Sequence, residues 1–453
     1  MSASRPVPRP PGPPPLNGSL ARLRHARRFI ADPIALVGGR FETYGDLYYV
    51  PNDQGGVYVT RHPDHFRDVL VTHGDSFTKG HSAFARLARV LGQGLLTTDG
   101  EVWKRHRRMI QGAFHKPRLT SYAPMMVAEA ARTADSWRDG ESVELTRDFA
   151  ELTLRVVSRS LFSHEVADDV AAITGAVAVL QESFSQIDIL PQWVPTAMRR
   201  RTRNALQAID TMMYRLIAKR RAAGFDIKNT EPDLLHMLLA ARDEEGDGAG
   251  LNDTEIRDQL VTFYLAGHET TSQALTWTMY LLSQHPEVEA RLHAEVDQVL
   301  CDRLPGFDDV DSLVYTEKVV RESMRLFPPV YSLARKAGID TQIGDYQVPA
   351  GSEVALWIYF SHHDPRWFSD PEHFDPDRFD NASYPRHAYV PFGSGARTCV
   401  GKTFATMEAV LLLATLVRRW RLRLESDQRI AMKTRVTLIP KFGMRMRAEL
   451  RRK

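Results

Sequence analysis

Phe392-Gly393-Ser394-Gly395-Ala396-Arg397-Thr398-Cys399-Val400-Gly401 sets a lone cysteine in a glycine-rich loop directly before an apolar helical run. A sulfur there faces the unpaired N–H groups of the helix's first turn and the positive end of its dipole. Both favour thiolate over thiol, and Arg397 adds a cation. Gly393 and Gly395 allow tight backbone turns. The second cysteine, Cys301, lacks such surroundings and reads as a small buried hydrophobe.

Working outward, the helix after Cys399 runs from Gly401 to Trp420. Before the loop, His362 to Pro391 is dense in Pro, Asp and Phe and reads as a long irregular connection with a function. The longest helical pattern opens at Asn252, where Asn252 and Glu255 spell a capping box, and stops at His285-Pro286. Such a helix spans roughly 45–50 Å at 1.5 Å per residue. Further helices read as Pro286–Leu300 and Thr316–Leu326, and a helical pattern broken near Gly140 covers Met125–Leu180. Asp46–Val50 and Gly56–Thr60, joined by turn residues, read as a hairpin, and Ser352–Trp357 as a strand. The fold class is mainly α with a minor β-sheet region.

The chain has 453 residues, 43% hydrophobic and 25% charged, which excludes global disorder. A formal net charge of +3 gives no reason to expect nucleic acid as a partner. Two cysteines cannot form a disulfide framework, so a reducing compartment is the simpler reading. Residues 1–20 are Pro-rich and read as a flexible arm, with no apolar run for a signal or membrane anchor. Residues 21–453 show no linker and are expected to form one catalytic domain of a soluble, cytoplasmic, monomeric protein.

The cysteine segment matches F-x-x-G-x-R-x-C-x-G and so resembles the haem-binding signature of the cytochrome P-450 superfamily. The resemblance implies a triangular-prism fold holding haem b (iron protoporphyrin IX), with Cys399 as axial metal ligand and Phe392 beside the sulfur. Thiolate donation then favours O–O cleavage. Ala266-Gly267-His268-Glu269-Thr270-Thr271 resembles the family's oxygen-activation motif. It implies that Ala266 lets the flat cofactor approach, while Thr270 and Glu269 are catalytic and deliver protons to dioxygen. Trp103 and Arg107 resemble the W-x-x-x-R element that binds haem propionates, with Arg397 and Arg335 in the same role. Glu322, Arg325 and Arg378 match E-x-x-R and P-x-R-F and imply a buried network that braces the cysteine loop.

By position in the family, Leu95, Leu96, Phe184, Ile187, Val330, Leu333 and Leu438 line an apolar substrate pocket. The implied activity is insertion of one oxygen atom from molecular oxygen into a lipophilic small molecule, by hydroxylation or epoxidation. Terpenoid, steroid, fatty acyl and polyketide substrates stay open. With no flavin or nicotinamide fingerprint, electrons are expected from a ferredoxin or flavodoxin with its NAD(P)H reductase. Lys104, Arg105, Arg108 and Lys402 are expected to form its docking patch. A peroxide-using or rearranging haem-thiolate enzyme and a non-catalytic haem carrier are the competing readings. Retention of Glu269 and Thr270 favours the oxygenase. Zincin ligation fails because position 272 is Ser, and His362-His363-Asp364 reads as loop structure.

Overall fold

Two short runs rich in aromatic and β-branched residues, separated by a turn, make the hairpin of β1 (Leu47–Val50) and β2 (Val57–Thr60), paired Leu47↔Thr60 to Val50↔Val57. In the computed structural model of the chain the described residues are 9–16, 18–52, 55–162, 175–176, 179–180, 182–183, 194, 196–223, 233–243, 245–246, 248–380 and 383–452. They fall into two compact units. The first holds the chain to Ala85, Met324–His373 and Arg378–Cys399; the second holds Arg86–Ser323, Phe374–Asp377 and the chain from Val400. The architecture is mainly helical with minor sheets, as expected.

In the first unit, β3 (Phe77–Thr78), β4 (Leu333–Ala337) and β5 (Glu353–Leu356) extend the hairpin into a five-stranded sheet ordered β1-β2-β5-β4-β3. Only the β2–β5 pair is parallel among these neighbours. Tyr58, Phe66, Val69, Val354, Leu356 and Ile358 form one apolar cluster, and Val37, Phe41, Tyr48, Val59 and Trp357 another. The expected free arm is corrected at Arg9–Gly12. Tyr49 N–H donates to Pro11 O at 2.9 Å, and Arg9 lies over the Tyr49 ring. A Cβ on Gly12 would fall 1.8 Å from Tyr49 O, so this contact needs glycine.

The second unit is organised by four helices, α1 (Lys116–Ser136), α2 (Leu145–Phe162), α3 (Asp253–Gln284) and α4 (Lys402–Val417). Both halves of the capping box form at the start of α3, Asn252 accepting from Glu255 N–H and Glu255 from Asn252 N–H. At 32 residues, α3 is about 48 Å long. Gly267 lets α2 come close, since a Cβ there would lie 2.9 Å from Val157 Cγ2. Thr153 Oγ1 then donates to His268 O at 2.8 Å. Helix α4 is buried on every side from Met407 to Val417, as an all-round apolar helix must be. Its one acidic residue, Glu408, accepts from Thr271 Oγ1 at 3.0 Å. Trp277 Nε1–H donates to Leu438 O at 3.0 Å. A three-stranded sheet ordered Ser142–Glu144, Arg445–Leu450, Trp420–Leu424 was not anticipated. No helix among the described residues is long and apolar enough to cross a membrane.

Several buried groups make stability depend on pH in opposite directions. Burial pushes the Glu408 carboxyl up to about 8 from an ordinary 4.5. Between those values the unfolded chain gives up a proton that the folded chain keeps, so stability falls as pH rises through that window. Burial holds His268 and His363 down to about 4 and His293 to about 3. For these the unfolded chain binds the extra proton, so stability falls as pH drops from their ordinary 6.5 towards 4. Thermal unfolding followed against pH should show both limbs. Glu408→Gln should flatten the alkaline limb, gain a few kcal/mol at pH 8, and leave the acid limb intact. An unchanged alkaline limb in the variant would assign it to other groups.

Candidate functional site

The cysteine loop is fixed mainly by its own backbone. Cys399 N–H donates to Phe392 O at 2.9 Å, and Gly393 N–H to Val390 O at 3.0 Å. Thr398 closes onto Gly395 O through its N–H at 3.1 Å and its hydroxyl at 2.7 Å, around the single 3-10 turn Gly395–Arg397. Gly395 has φ +70°, and a Cβ on it would stand 1.8 Å from Leu70 O. The Cys399 side chain is exposed, and Phe392 and Arg397 are half-buried. Leu333 Cδ1 lies 3.8 Å from where a Cβ on Gly393 would be, so Leu333 sits beside this loop. Val330 is half-buried just before β4. Arg335, on β4, is buried, and its Nη1 donates to Ala334 O at 2.9 Å.

Arg325 is wholly buried and holds the irregular stretch that leads to the loop. It donates to His362 O at 2.8 Å, Pro371 O at 2.7 Å and His373 O at 3.2 Å. Arg378 reaches Ser369 O at 2.5 Å and Asp370 O and His373 O at 3.2 Å. Both guanidinium groups therefore converge on His373 O. Glu322, also wholly buried, accepts from Asp375 N–H at 3.2 Å. The contacts of these three side chains thus run to main-chain carbonyls and an amide. His362 Nε2 accepts from Val390 N–H at 3.1 Å, which confirms a structural part for that histidine.

In α3, Ala266 is exposed although the helix is buried from Thr271 to Met279. Thr270 Oγ1 donates to Ala266 O at 2.7 Å. Glu269 Oε1 accepts from Thr437 Oγ1 at 2.8 Å. His268 turns away, its Nδ1 on Tyr264 O at 3.0 Å, and burial holds it neutral. Trp103 and Arg107 are half-buried one turn apart on Gly100–Gln111. Leu95 is buried, with its N–H on Gln259 Oε1 at 2.9 Å; Leu96 is half-buried and Leu438 fully buried.

Some expectations change. Lys104 pairs with Glu101 at 2.8 Å, Arg105 with Glu255 at 2.8 Å, and Arg108 with Asp243 at 2.9 Å. Three of the four expected docking cations are thus matched by a carboxylate, two of them by one far away in sequence, and Lys402 is exposed. Cys301 is exposed, not buried, because it caps the end of Pro286–Leu300 with φ +53°. Phe184 and Ile187 lie outside the described residues. A cavity of about 410 Å³ opens among Arg108, Arg118, Met237 and Arg242, but no residue expected to bind substrate lines it. Thr437 and Glu408 had not been singled out. The signal for Glu408 was an acid inside an otherwise apolar helix.

Haem needs a sulfur able to ionise, a small-residue surface for a flat ring, and cations for two carboxylates. The first unit carries Cys399, Arg335 and Arg397, and the second an exposed Ala266 and Arg107, so the residue types in each fit the group. A family profile described as Cytochrome P450 matches residues 8–445. Cyclooctatin synthase of Streptomyces melanosporofaciens is 36% identical over 90% of this chain and 89% of its own. Pentalenene oxygenase of Streptomyces avermitilis is 34% identical over 90% of this chain and 91% of its own. The crystal structure of a cytochrome P450DA heme domain superposes with a TM-score of 0.86 at 27% identity, covering 99% of both chains. The chain therefore belongs to the cytochrome P450 family and is a monooxygenase with haem b as its cofactor.

Proposed function

We propose that this enzyme inserts one oxygen atom into a terpenoid alkene or alkenol. The names of its relatives support that class: pentalenene oxygenase, and cyclooctat-9-en-7-ol 5-monooxygenase at 36% identity. Electrons come from a ferredoxin or flavodoxin with its NAD(P)H reductase, and the enzyme works as a cytoplasmic monomer built on one catalytic domain, residues 21–453. The observation that carries the reading is the acid–alcohol pair of α3, Glu269 anchored by Thr437 and Thr270 next to the exposed Ala266.

Haem b, when bound, supplies the binding and reductive activation of dioxygen. Cys399 would hold it through sulfur, and Phe392 would pack beside that sulfur. Arg107, Arg335 and Arg397 would neutralise its propionates, and the Trp103 indole N–H would donate to them. The Thr270 hydroxyl, whose proton rests on Ala266 O, rotates to donate towards oxygen and is re-protonated through Glu269. Cleaving dioxygen consumes two protons, so a hydroxyl without an acid behind it would deliver only once. Leu95, Leu96, Val330, Leu333 and Leu438 are apolar, which suits a lipophilic substrate. Arg325 and Arg378 hold the stretch that leads to the cysteine loop, and Glu322 holds Asp375.

Three measurements test this. Reduced protein with carbon monoxide should show the red-shifted Soret band of thiolate ligation; Cys399→His should lose it and Cys301→Ala keep it. A thiolate band surviving in Cys399→His would overturn the ligand assignment.

Thr270→Ala should keep haem and substrate binding, yet divert NADPH to hydrogen peroxide and lower product formation roughly 100-fold, with Glu269→Gln slowed at the same step. Full coupling in both variants would remove the pair from proton delivery. A Soret-shift titration with pentalenene and other terpenoid hydrocarbons against steroids and fatty acids decides the substrate class.

A further inference from the structure

The helix Ser19–Ala31, sequence SLARLRHARRFIA, has no buried residue. Leu20, Leu23, Phe29 and Ile30 are among the large apolar side chains left exposed, Leu20 at 74%. Leu20, Leu23 and Ile30 fall within roughly 80° of the helix circumference at 3.6 residues per turn. The same helix carries Arg22, Arg24, Arg27, Arg28 and His25, and no acid. Arg27 projects within the apolar arc and Arg24 beside it, where long stems can lie on an apolar surface with the charge held outward.

The helix is mounted, not loose. Asp32 caps the next helix, Pro33–Tyr44, by accepting from Ala35 N–H at 2.9 Å. His25 Nδ1 lies 3.4 Å from Arg40 Nη2 on that second helix. Val37 and Phe41 of the second helix are buried with Tyr48, Val59 and Trp357. A rigid support thus presents a surface that is both apolar and strongly cationic.

From this we infer that Ser19–Ala31 is an interfacial helix that seats the enzyme on an anionic lipid surface. The chemistry excludes a second copy, because a two-fold contact through this face would set arginines against arginines. It also distinguishes lipid from an acidic protein. Lipid headgroups take the four arginines while the acyl boundary takes Leu20, Leu23 and Ile30, and the two attractions add. The helix is far too short to span a bilayer, so it lies in the plane of the interface. The inference stands apart from the substrate and the proton route.

The test uses the full, haem-loaded chain in co-sedimentation with vesicles. It should pellet with vesicles of phosphatidylcholine plus phosphatidylserine and not with phosphatidylcholine alone, and high salt should release it. The double variants Leu23→Glu/Ile30→Glu and Arg24→Glu/Arg28→Glu should each weaken partition about 100-fold. Their carbon monoxide spectra and unfolding temperatures should match the parent, since these side chains are exposed. Failure of the parent to bind anionic vesicles, or binding by both variants equal to the parent, overturns the inference. So does a parent dimer, or a complex with an acidic ferredoxin, that these variants abolish while vesicles are ignored.

Discussion

A side chain on Gly395 would place its first carbon 1.8 Å from Leu70 O, and the cysteine loop depends on that contact. No L side chain fits there, and the φ of +70° disfavours one independently. With Gly395 fixed, Thr398 closes on its carbonyl and the Cys399 amide returns to Phe392, so the sulfur is presented from a backbone with little freedom. The loop uses no side chain of its own for these bonds apart from the Thr398 hydroxyl.

A loop held that tightly needs an equally firm approach, and the irregular stretch before it has no regular ladder to supply one. Two arginines stand in for the missing ladder, donating to carbonyls from His362 to His373. Arg325 is wholly buried, and a buried guanidinium is tolerable only when its donors are satisfied. Removing it would orphan carbonyls and leave them desolvated, a cost of about 1–3 kcal/mol for each buried group.

Elements whose signals are local were legible in the sequence. Asn252 and Glu255 sit three residues apart, and the capping box they spell is the one that forms. The hairpin of β1 and β2 and the stop at His285 were equally local. Contacts that depend on distant parts of the chain were not legible. Arg105 and Arg108 look like free surface cations until Glu255 and Asp243 meet them, 150 and 135 residues later. Arg445–Leu450 alternates exposed and buried residues, but it becomes a strand only beside Ser142–Glu144 and Trp420–Leu424. In the site, the motif residues could be named from the sequence, but Thr437's bond to Glu269 could not. Thr437 lies in a segment read only as apolar lining.

Helix α4 shows why an acid is kept where apolar packing would be simpler. Its residues from Ala409 to Val417 are all buried, so as an apolar cylinder it has little to choose between one rotation and another. Glu408 supplies that choice, because its Oε2 must meet the Thr271 hydroxyl. A shift of one residue would turn the carboxyl by roughly 100° and leave it buried without a partner. Thr271 follows Thr270 directly on α3, so the same bond ties the register of α4 to the turn that carries the acid–alcohol pair. The cost is a carboxyl that stays protonated near neutral pH, and one of its oxygens, Oε1, has no partner among the described residues. A hydrophobic residue at 408 would remove that cost and, with it, the contact that fixes the rotation of α4.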